Sequence, residues 1–103
     1  ISPYTEYDGT KQPLVQWTPS IGPSGMTIYQ GSQFPDWQGD IFVTSLIFNK
    51  IIHIEMENGV PGQQSDMFSE IDDRLRDIRT GDDGALYILS EGDNGKLWRV
   101  SRR

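Results

Sequence analysis

The 103-residue chain contains no cysteine and no long apolar run. Without cysteine it has neither disulfides nor thiolate metal ligands, and its redox compartment stays open. No apolar run approaches the roughly 18 residues that span a bilayer. The start, residues 1–4 (ISPY), lacks the basic and apolar regions of a signal peptide. The sequence therefore indicates no membrane segment and leaves the localisation unknown.

Basic residues are scarce as well. Nine Lys and Arg stand against 15 Asp and Glu, which gives a formal net charge of −6. Nonspecific nucleic-acid binding and attachment to anionic lipid both need a basic surface. We therefore expect neither a nucleic acid nor a membrane as a partner.

The chain has a single histidine, His53. A histidine is a natural general base, because its pKa suits proton transfer near neutral pH. Residues alternate sides along a strand, so His53 shares the polar face with Glu55 and Glu57. We therefore interpret it as a residue of that polar face, and no catalytic residue is predicted in this chain.

Turn-forming and aromatic residues are plentiful, with 11 Gly, 6 Pro, 3 Trp, 4 Tyr and 4 Phe. Such a composition indicates many short strands. Turns are predicted at Asn58-Gly59 and at Asp82-Asp83-Gly84, where Asp and Gly favour chain reversal. After a polar lead-in at 1–12, we predict strands at 13–18, 26–30, 40–48, 51–57 and 63–71, one beginning at Arg74, and two at 85–90 and 96–101.

An internal repeat organises these strands. Residues 39–45 (GDIFVTS) resemble residues 84–90 (GALYILS) at an offset of 45, and 50–54 (KIIHI) resemble 96–100 (KLWRV) after one insertion. A period of about 40–50 residues with four strands per repeat is typical of a β-propeller. We therefore predict an all-β fold of antiparallel four-stranded propeller blades. The module would span 13–103, with an outer strand at 13–18, a first blade at 24–71 and a second blade at 74–102.

Arg74 and Arg76 lie two residues apart, on one side of their predicted strand. Two neighbouring guanidinium groups suit carboxylates or phosphates. The alternative is ordinary ion pairing with Asp72, Asp73 or Asp77, worth about 0–1 kcal/mol for each exposed pair. Spacing alone leaves both interpretations open.

Other polar clusters favour structural interpretations. Glu70, Asp72 and Asp73, with Asp66 nearby, have hard oxygen ligands for Ca²⁺ but lack EF-hand spacing. We interpret them as a solvated turn paired with arginine, and residues 91–95 (EGDNG) as a hairpin turn. No metal site is predicted. Of the three tryptophans, Trp17 is a candidate for lining a pocket, whereas Trp37 and Trp98 are assigned to packing.

Three blocks in order, 17–26 (WTPSIGPSGM), 34–43 (FPDWQGDIFV) and 74–87 (RLRDIRTGDDGALY), resemble the carboxy-terminal part of the soluble glucose/sorbosone dehydrogenase family. Members of that family are six-bladed propellers that oxidise aldoses with pyrroloquinoline quinone (PQQ). The resemblance covers residues 13 to 102. It implies that Arg74 and Arg76 reach the quinone in the central funnel, and that Trp17 and Ser20 line the same site.

The chain also departs from the family pattern. The family commonly has Lys in an S-L-K context, where this chain has Ser45-Leu46-Ile47, and Lys50 is displaced by three positions. The family's catalytic histidine and calcium loop lie in earlier blades and match nothing here. The resemblance therefore implies the propeller fold and part of a cofactor pocket. It also implies that this chain is not catalytic by itself.

Two alternatives remain for its function: a fragment of an active PQQ sugar dehydrogenase, or a self-assembling module that binds an anionic or small ligand in a central channel. Two blades would leave apolar faces uncovered. We therefore expect a homo-oligomer, preferably a trimer that completes a six-bladed ring, or association with the remainder of a longer chain. A sugar or an anionic small molecule is the expected ligand, and the family is often periplasmic or secreted.

Overall fold

The computed structural model describes residue 15 and the ranges 21–68, 71, 74–91 and 95–102. Within these ranges, no helix is long and apolar enough to cross a membrane. A short 3-10 helix, Pro35–Trp37, lies between the first two strands. The strands are β1 (Pro23–Ile28), β2 (Ile41–Ser45), β3 (Lys50–Glu57), β4 (Val60–Met67), β5 (Arg74–Thr80), β6 (Leu86–Glu91) and β7 (Lys96–Val100).

These strands form two antiparallel sheets in which sequence neighbours are also spatial neighbours. The first sheet has the order β1-β2-β3-β4, and the second has the order β5-β6-β7. Such meanders are the building units of propeller blades. The predicted fold class, all-β with antiparallel blade-like sheets, is therefore confirmed.

The internal repeat corresponds to equivalent positions in the two sheets. Its first half covers β2 and β6, the second strand of each sheet, and its second half covers β3 and β7. Gly39 (φ 83°) and Gly84 (φ 82°) both adopt the left-handed conformation shortly before these second strands. Glycine suits both positions because it lacks the Cβ that disfavours positive φ.

The larger core lies between the two sheets. The first strands, β1 and β5, run side by side in the same direction, since Ser24 contacts Leu75 and Thr27 contacts Thr80. Alternate residues of both sheets fill the space behind them. Its buried members are Tyr29, Phe42, Ile51, Ile71, Leu75, Ile78, Leu86 and Ile88.

The opposite face of the first sheet has its own apolar cluster. Ile41, Val43, Ile52 and Ile54 are buried there together with Ile21, and Val15 packs against them. Because both faces are covered, β2 is buried along its whole length, as its continuous apolar run predicts.

Several boundaries differ from the sequence prediction. β2 ends at Ser45 rather than at 48, because a turn follows in which Phe48 N–H bonds Ser45 Oγ and Asn49 has a φ of 51°. β1 begins at Pro23 because proline is tolerated at the first position of a strand. β4 begins at Val60, since the predicted Asn58-Gly59 turn connects it directly to β3.

The predicted strand at 13–18 lies outside the described residues apart from Val15, and so do Trp17, Ser20 and the tip of the turn at 92–94. The division into a lead-in and two blades stays a prediction.

Candidate functional site

The candidate site lies where β1 and β5 begin. Because β1 pairs antiparallel with β2, the start of β1 lies beside the turn after β2, and Leu46 N–H bonds Gly22 O at 3.0 Å. The contact between Ser24 and Leu75 brings the start of β5 to the same end. The first residues of β1 and β5 and the turn after β2 therefore lie on one surface.

Arg74 and Arg76 are both exposed there, on either side of the fully buried Leu75. Leu75 points into the core, so the arginines point away from it. A β-bulge falls at Arg76, because Leu75 pairs with Ser90 while Asp77 pairs with Leu89. The bulge restores the inward direction at Ile78 and leaves both guanidinium groups on the accessible side.

The two arginines differ in their partners. Arg76 Nη1 lies 2.8 Å from Glu91 Oε2, whereas no described residue forms an ion pair with Arg74. Asp77, a predicted partner of the arginine pair, instead accepts a bond from Arg79 Nε at 3.0 Å. The alternative prediction is wrong for Asp77, whose ion-pair partner is Arg79. Asp72 and Asp73 lie outside the described residues.

A hydroxyl group of the first sheet supports the backbone of this segment. Ser24 Oγ donates to Leu75 O at 2.6 Å, and Ser24 Oγ is 2.8 Å from Thr44 Oγ1. With the Ser24 proton directed to the carbonyl, Thr44 is the donor in the second bond. The carbonyl between the two arginines is thus held by the neighbouring sheet.

Gly25 allows the first strands to approach closely. A Cβ at Gly25 would lie 2.8 Å from Asp77 Cα and closer still to Asp77 Oδ1. Contacts under 3.0 Å require the backbone to shift, so only glycine fits here without moving β5.

Lys50 does not join the arginine pair. Its Nζ lies 3.2 Å from Asp66 Oδ2 and 5.3 Å from the Phe48 ring centre. Asp66 therefore pairs with Lys50, while Glu70 lies outside the described residues. Within the described ranges, no three His, Cys, Asp or Glu side chains are grouped so as to hold a metal ion.

His53 is buried rather than displayed on a polar face. Its side chain is 8% exposed, and Nε2 lies 2.7 Å from Asp40 Oδ2. The prediction of a polar face is wrong for His53, because both faces of the inner strand β3 are buried from Ile51 to Ile54, whereas Glu55 and Glu57 are exposed. The ring stacks on Phe42 with centroids 4.6 Å apart and lies 5.8 Å from Trp37. His53 is therefore a packed, hydrogen-bonded residue of the core.

The turn between β5 and β6 has a polar network. Asp83 accepts bonds from the Ala85 backbone N–H at 3.0 Å, from Tyr87 Oη at 2.8 Å and from Arg99 Nη2 at 2.9 Å. These contacts, the backbone bond foremost, lower the pKa of Asp83 to about 2. In turn, the hydrogen bond to Asp83 raises the pKa of Arg99 above its ordinary value.

A polar cleft of about 600 Å³ lies at the opposite ends of β1 and β5, lined by residues such as Thr27, Gln30, Arg79 and Thr80. Gly84, another lining residue, accepts a hydrogen bond from Tyr29 Oη at 2.5 Å. The cleft is separated from the arginine pair by the length of the strands. It therefore does not coincide with the site that the sequence indicates.

Trp37 and Trp98 pack against the core between the sheets, as predicted. Trp98 Nε1 also donates to Ser90 Oγ at 3.1 Å.

Sequence reasoning located the arginine pair but missed Glu91, Ser24 and Asp40. Glu91 has only an indirect signal, since counting outward from the Asp82-Asp83-Gly84 turn places it opposite Leu75, and the bulge at Arg76 moves it opposite Arg74. Ser24 and Asp40 act through residues distant in sequence, and nothing local marks those contacts.

Comparison with known proteins identifies the relatives of this chain. The family model described as "Glucose / Sorbosone dehydrogenase" matches residues 1–99. An uncharacterized protein of Synechocystis sp., slr1608, is 39% identical over 100 residues, which are 97% of this chain and 24% of the relative. Aldose sugar dehydrogenase YliI of Escherichia coli is 35% identical over 95 residues, covering 92% of this chain and 26% of the relative.

Solved structures give the same result. A glucose dehydrogenase superposes with a TM-score of 0.83 at 34% identity, over 95% of this chain and 30% of that one. The apo-form of the soluble aldose sugar dehydrogenase from Escherichia coli superposes with a TM-score of 0.81 at 34% identity, over 94% of this chain and 28% of that one. The chain spans about a quarter of the length of its curated relatives. With the family model matching nearly all of it, the chain belongs to the glucose/sorbosone dehydrogenase family.

Proposed function

We propose that this chain supplies the anion-binding edge of a quinone cofactor site in a sugar dehydrogenase. The observation that carries the proposal is the pair of exposed guanidinium groups of Arg74 and Arg76 at the start of β5. Their donors suit the carboxylates of PQQ, because guanidinium and carboxylate groups form charge-assisted, bidentate bonds. When bound, the quinone supplies the electron acceptor for aldose oxidation.

The two arginines have different tasks in this proposal. Arg74 has no ion-pair partner among the described residues, so its donors are available to a ligand carboxylate. Arg76 shares one Nη with Glu91, which fixes the side chain and leaves its remaining donors for the ligand. Family resemblance adds Trp17 and Ser20, outside the described residues, as further contacts to the cofactor.

We further propose that the chain does not oxidise sugars by itself. In the family that this chain resembles, the histidine that would abstract the proton lies in other blades, which this chain does not match. His53 does not replace it, because that ring is buried and bonded to Asp40. Aldose oxidation would then require those further blades together with Arg74 and Arg76.

The test is a titration of the protein with PQQ, followed by absorbance and by intrinsic fluorescence. Arg74→Ala combined with Arg76→Ala should weaken binding by at least about tenfold, since hydrogen bonds to charged groups contribute about 1.5–3 kcal/mol each. Arg79→Ala is the matched control, because Arg79 is an exposed arginine of the same strand that pairs with Asp77. Equal binding by the double variant and the wild type, with unchanged circular dichroism, would remove the arginines from the site.

Dye-coupled aldose oxidation separates the two alternatives for the function. Oxidation by the PQQ-loaded chain alone would contradict the assignment of the base to other blades. Binding of PQQ without oxidation is expected. If small carboxylates bind as well as PQQ does, the second alternative, an anion-binding module without redox chemistry, is the better description.

A further inference from the structure

We propose that Ser24 is a positioning residue for the Arg74–Arg76 pair, acting from the neighbouring sheet. This inference rests on the proposed function of the two arginines. Ser24 does not extend to a ligand in this role. Its hydroxyl holds the peptide group between Leu75 and Arg76, one of the two peptide groups that lie between the ligand-binding side chains.

The first support is the place of β5 in its sheet. Among the described residues, β5 is an edge strand, with β6 on one side and no other strand of its own sheet beside it. Backbone groups on the open side of an edge strand need partners from outside their own sheet. Leu75 O accepts a hydrogen bond from Ser24 Oγ, 2.6 Å away in the first sheet. Leu75 itself is fully buried, so loss of this bond would remove a hydrogen bond from the interior.

The second support is the bulge at Arg76. A bulged residue is left out of the regular pairing, so the ladder does not fix its position. On its N-terminal side, the carbonyl of the preceding residue is held by the bond from Ser24. Releasing that bond should let the bulge shift and change the separation of the two guanidinium groups.

The third support is the network behind Ser24. Thr44 Oγ1 lies 2.8 Å from Ser24 Oγ, and Thr44 is fully buried in β2. Gly25, the next residue, lets β1 approach Asp77 closely enough for the bond to form. The hydroxyl thus lies between two strands, where Leu75 O at 2.6 Å is a much nearer acceptor than Thr44 O at 3.3 Å.

The chain has a matched control at the other end of the same strands. Thr27 Oγ1 and Thr80 Oγ1 form a 2.9 Å hydroxyl bond that also joins β1 to β5. Thr27→Val removes this inter-sheet bond far from the arginines. If Ser24 only stabilises the contact between the sheets, Ser24→Ala and Thr27→Val should affect PQQ binding alike. If Ser24 positions the arginines, only Ser24→Ala should weaken PQQ binding.

The experiment compares Ser24→Ala, Thr27→Val and Arg74→Ala/Arg76→Ala by titration with PQQ and by amide hydrogen exchange. We expect Ser24→Ala to weaken PQQ binding about fivefold to tenfold and to speed exchange at residues 74–77. Thr27→Val should bind PQQ like the wild type and speed exchange only near Thr80.

The possible results distinguish the positioning role of Ser24 from the proposed function of the arginines. If Ser24→Ala binds PQQ like the wild type while the double arginine variant does not, the positioning role is wrong and the proposed function stands. If Ser24→Ala and Thr27→Val weaken binding equally, the bond is merely structural and the inference is overturned. If the wild type does not bind PQQ, the proposed function fails and the inference fails with it.

Discussion

His53 Nε2 and Asp40 Oδ2 lie 2.7 Å apart in the interior of the first sheet, with side-chain exposures of 8% and 7%. The second oxygen of Asp40 accepts the backbone N–H of Met56 at 2.9 Å. One carboxylate therefore satisfies both a side chain and the bulged backbone of β3. The sole histidine of the chain is committed to this core contact.

Replacing Asp40 by Ala should destabilise the protein strongly. The substitution leaves His53 and the Met56 N–H without their partner, and each buried polar group left unsatisfied costs about 1–3 kcal/mol. The free energy of unfolding in urea, measured at pH 7, checks this value. Asp36→Ala is the control, because Asp36 is exposed.

A double-mutant cycle of Asp40→Ala with His53→Ala tests whether the loss of stability comes from the contact between these two side chains. The double variant should lose less than the sum of the two single losses, since the second change removes a group that is already unpaired. Strict additivity would contradict the proposed coupling.

Asp83 should make stability depend on pH in acid. Its pKa falls to about 2 in the folded protein, below the ordinary value of about 3.9 for an unfolded chain. A depressed pKa gives stabilisation that is complete above the unfolded value and is lost as the pH falls from about 4 towards 2. Unfolding midpoints measured across this range should therefore decrease.

Asp83→Asn should flatten that acid dependence, because the neutral amide has no proton to gain. Asp82→Asn is the matched control in the same turn and should retain the wild-type slope, since Asp82 forms none of the bonds to Ala85, Tyr87 and Arg99. Equal slopes for Asp83→Asn and the wild type would show that the Asp83 network does not cause the dependence.

Gly25→Ala should separate the first strands of the two sheets. The added Cβ would meet Asp77 Cα at 2.8 Å, and backbone atoms cannot rotate away. Overpacking of this kind costs about 1–3 kcal/mol. Thermal unfolding monitored by circular dichroism tests it, with Gly62→Ala as the control. At Gly62 the nearest atom is Glu55 O at 3.4 Å, so a methyl group fits. Equal midpoints for the two variants would contradict the close approach.

The outer face of the second sheet is expected to pack against another protein surface. Leu89 and Leu97 are cross-strand partners that are 45% and 68% exposed on the side away from the core. Propeller blades bury such faces against the next blade. We therefore predict that the isolated chain associates, with a trimer of two-blade chains completing a six-bladed ring.

Light scattering across a dilution series measures this association. The predicted mass is three times the 11.7 kDa of the chain. Leu97→Glu should lower the mass by placing a charge in the contact. A wild-type mass that stays at one chain at all concentrations would contradict self-assembly and favour the other expected cover, the remainder of a longer protein.

The sequence by itself determined the strands and their order. Alternating and continuous apolar runs, the repeat between 39–45 and 84–90, and turns such as Asn58-Gly59 are local signals, because side-chain period and positive φ depend on near neighbours. The same side-chain period predicted that Arg74 and Arg76 share one side of their strand. Family resemblance then supplied a role that spacing alone left open.

Only the tertiary structure decided which polar residues meet. His53 was assigned to a polar face by alternation, yet the covering of both faces of β3 buries it, and Asp40 is its partner. Leu89, a residue of the apolar run at 85–89, is exposed because only one face of the second sheet is covered by described residues. The bond from Ser24 to Leu75 joins residues 51 positions apart. Such contacts depend on how two sheets pack, and packing is set by the whole chain rather than by any local stretch.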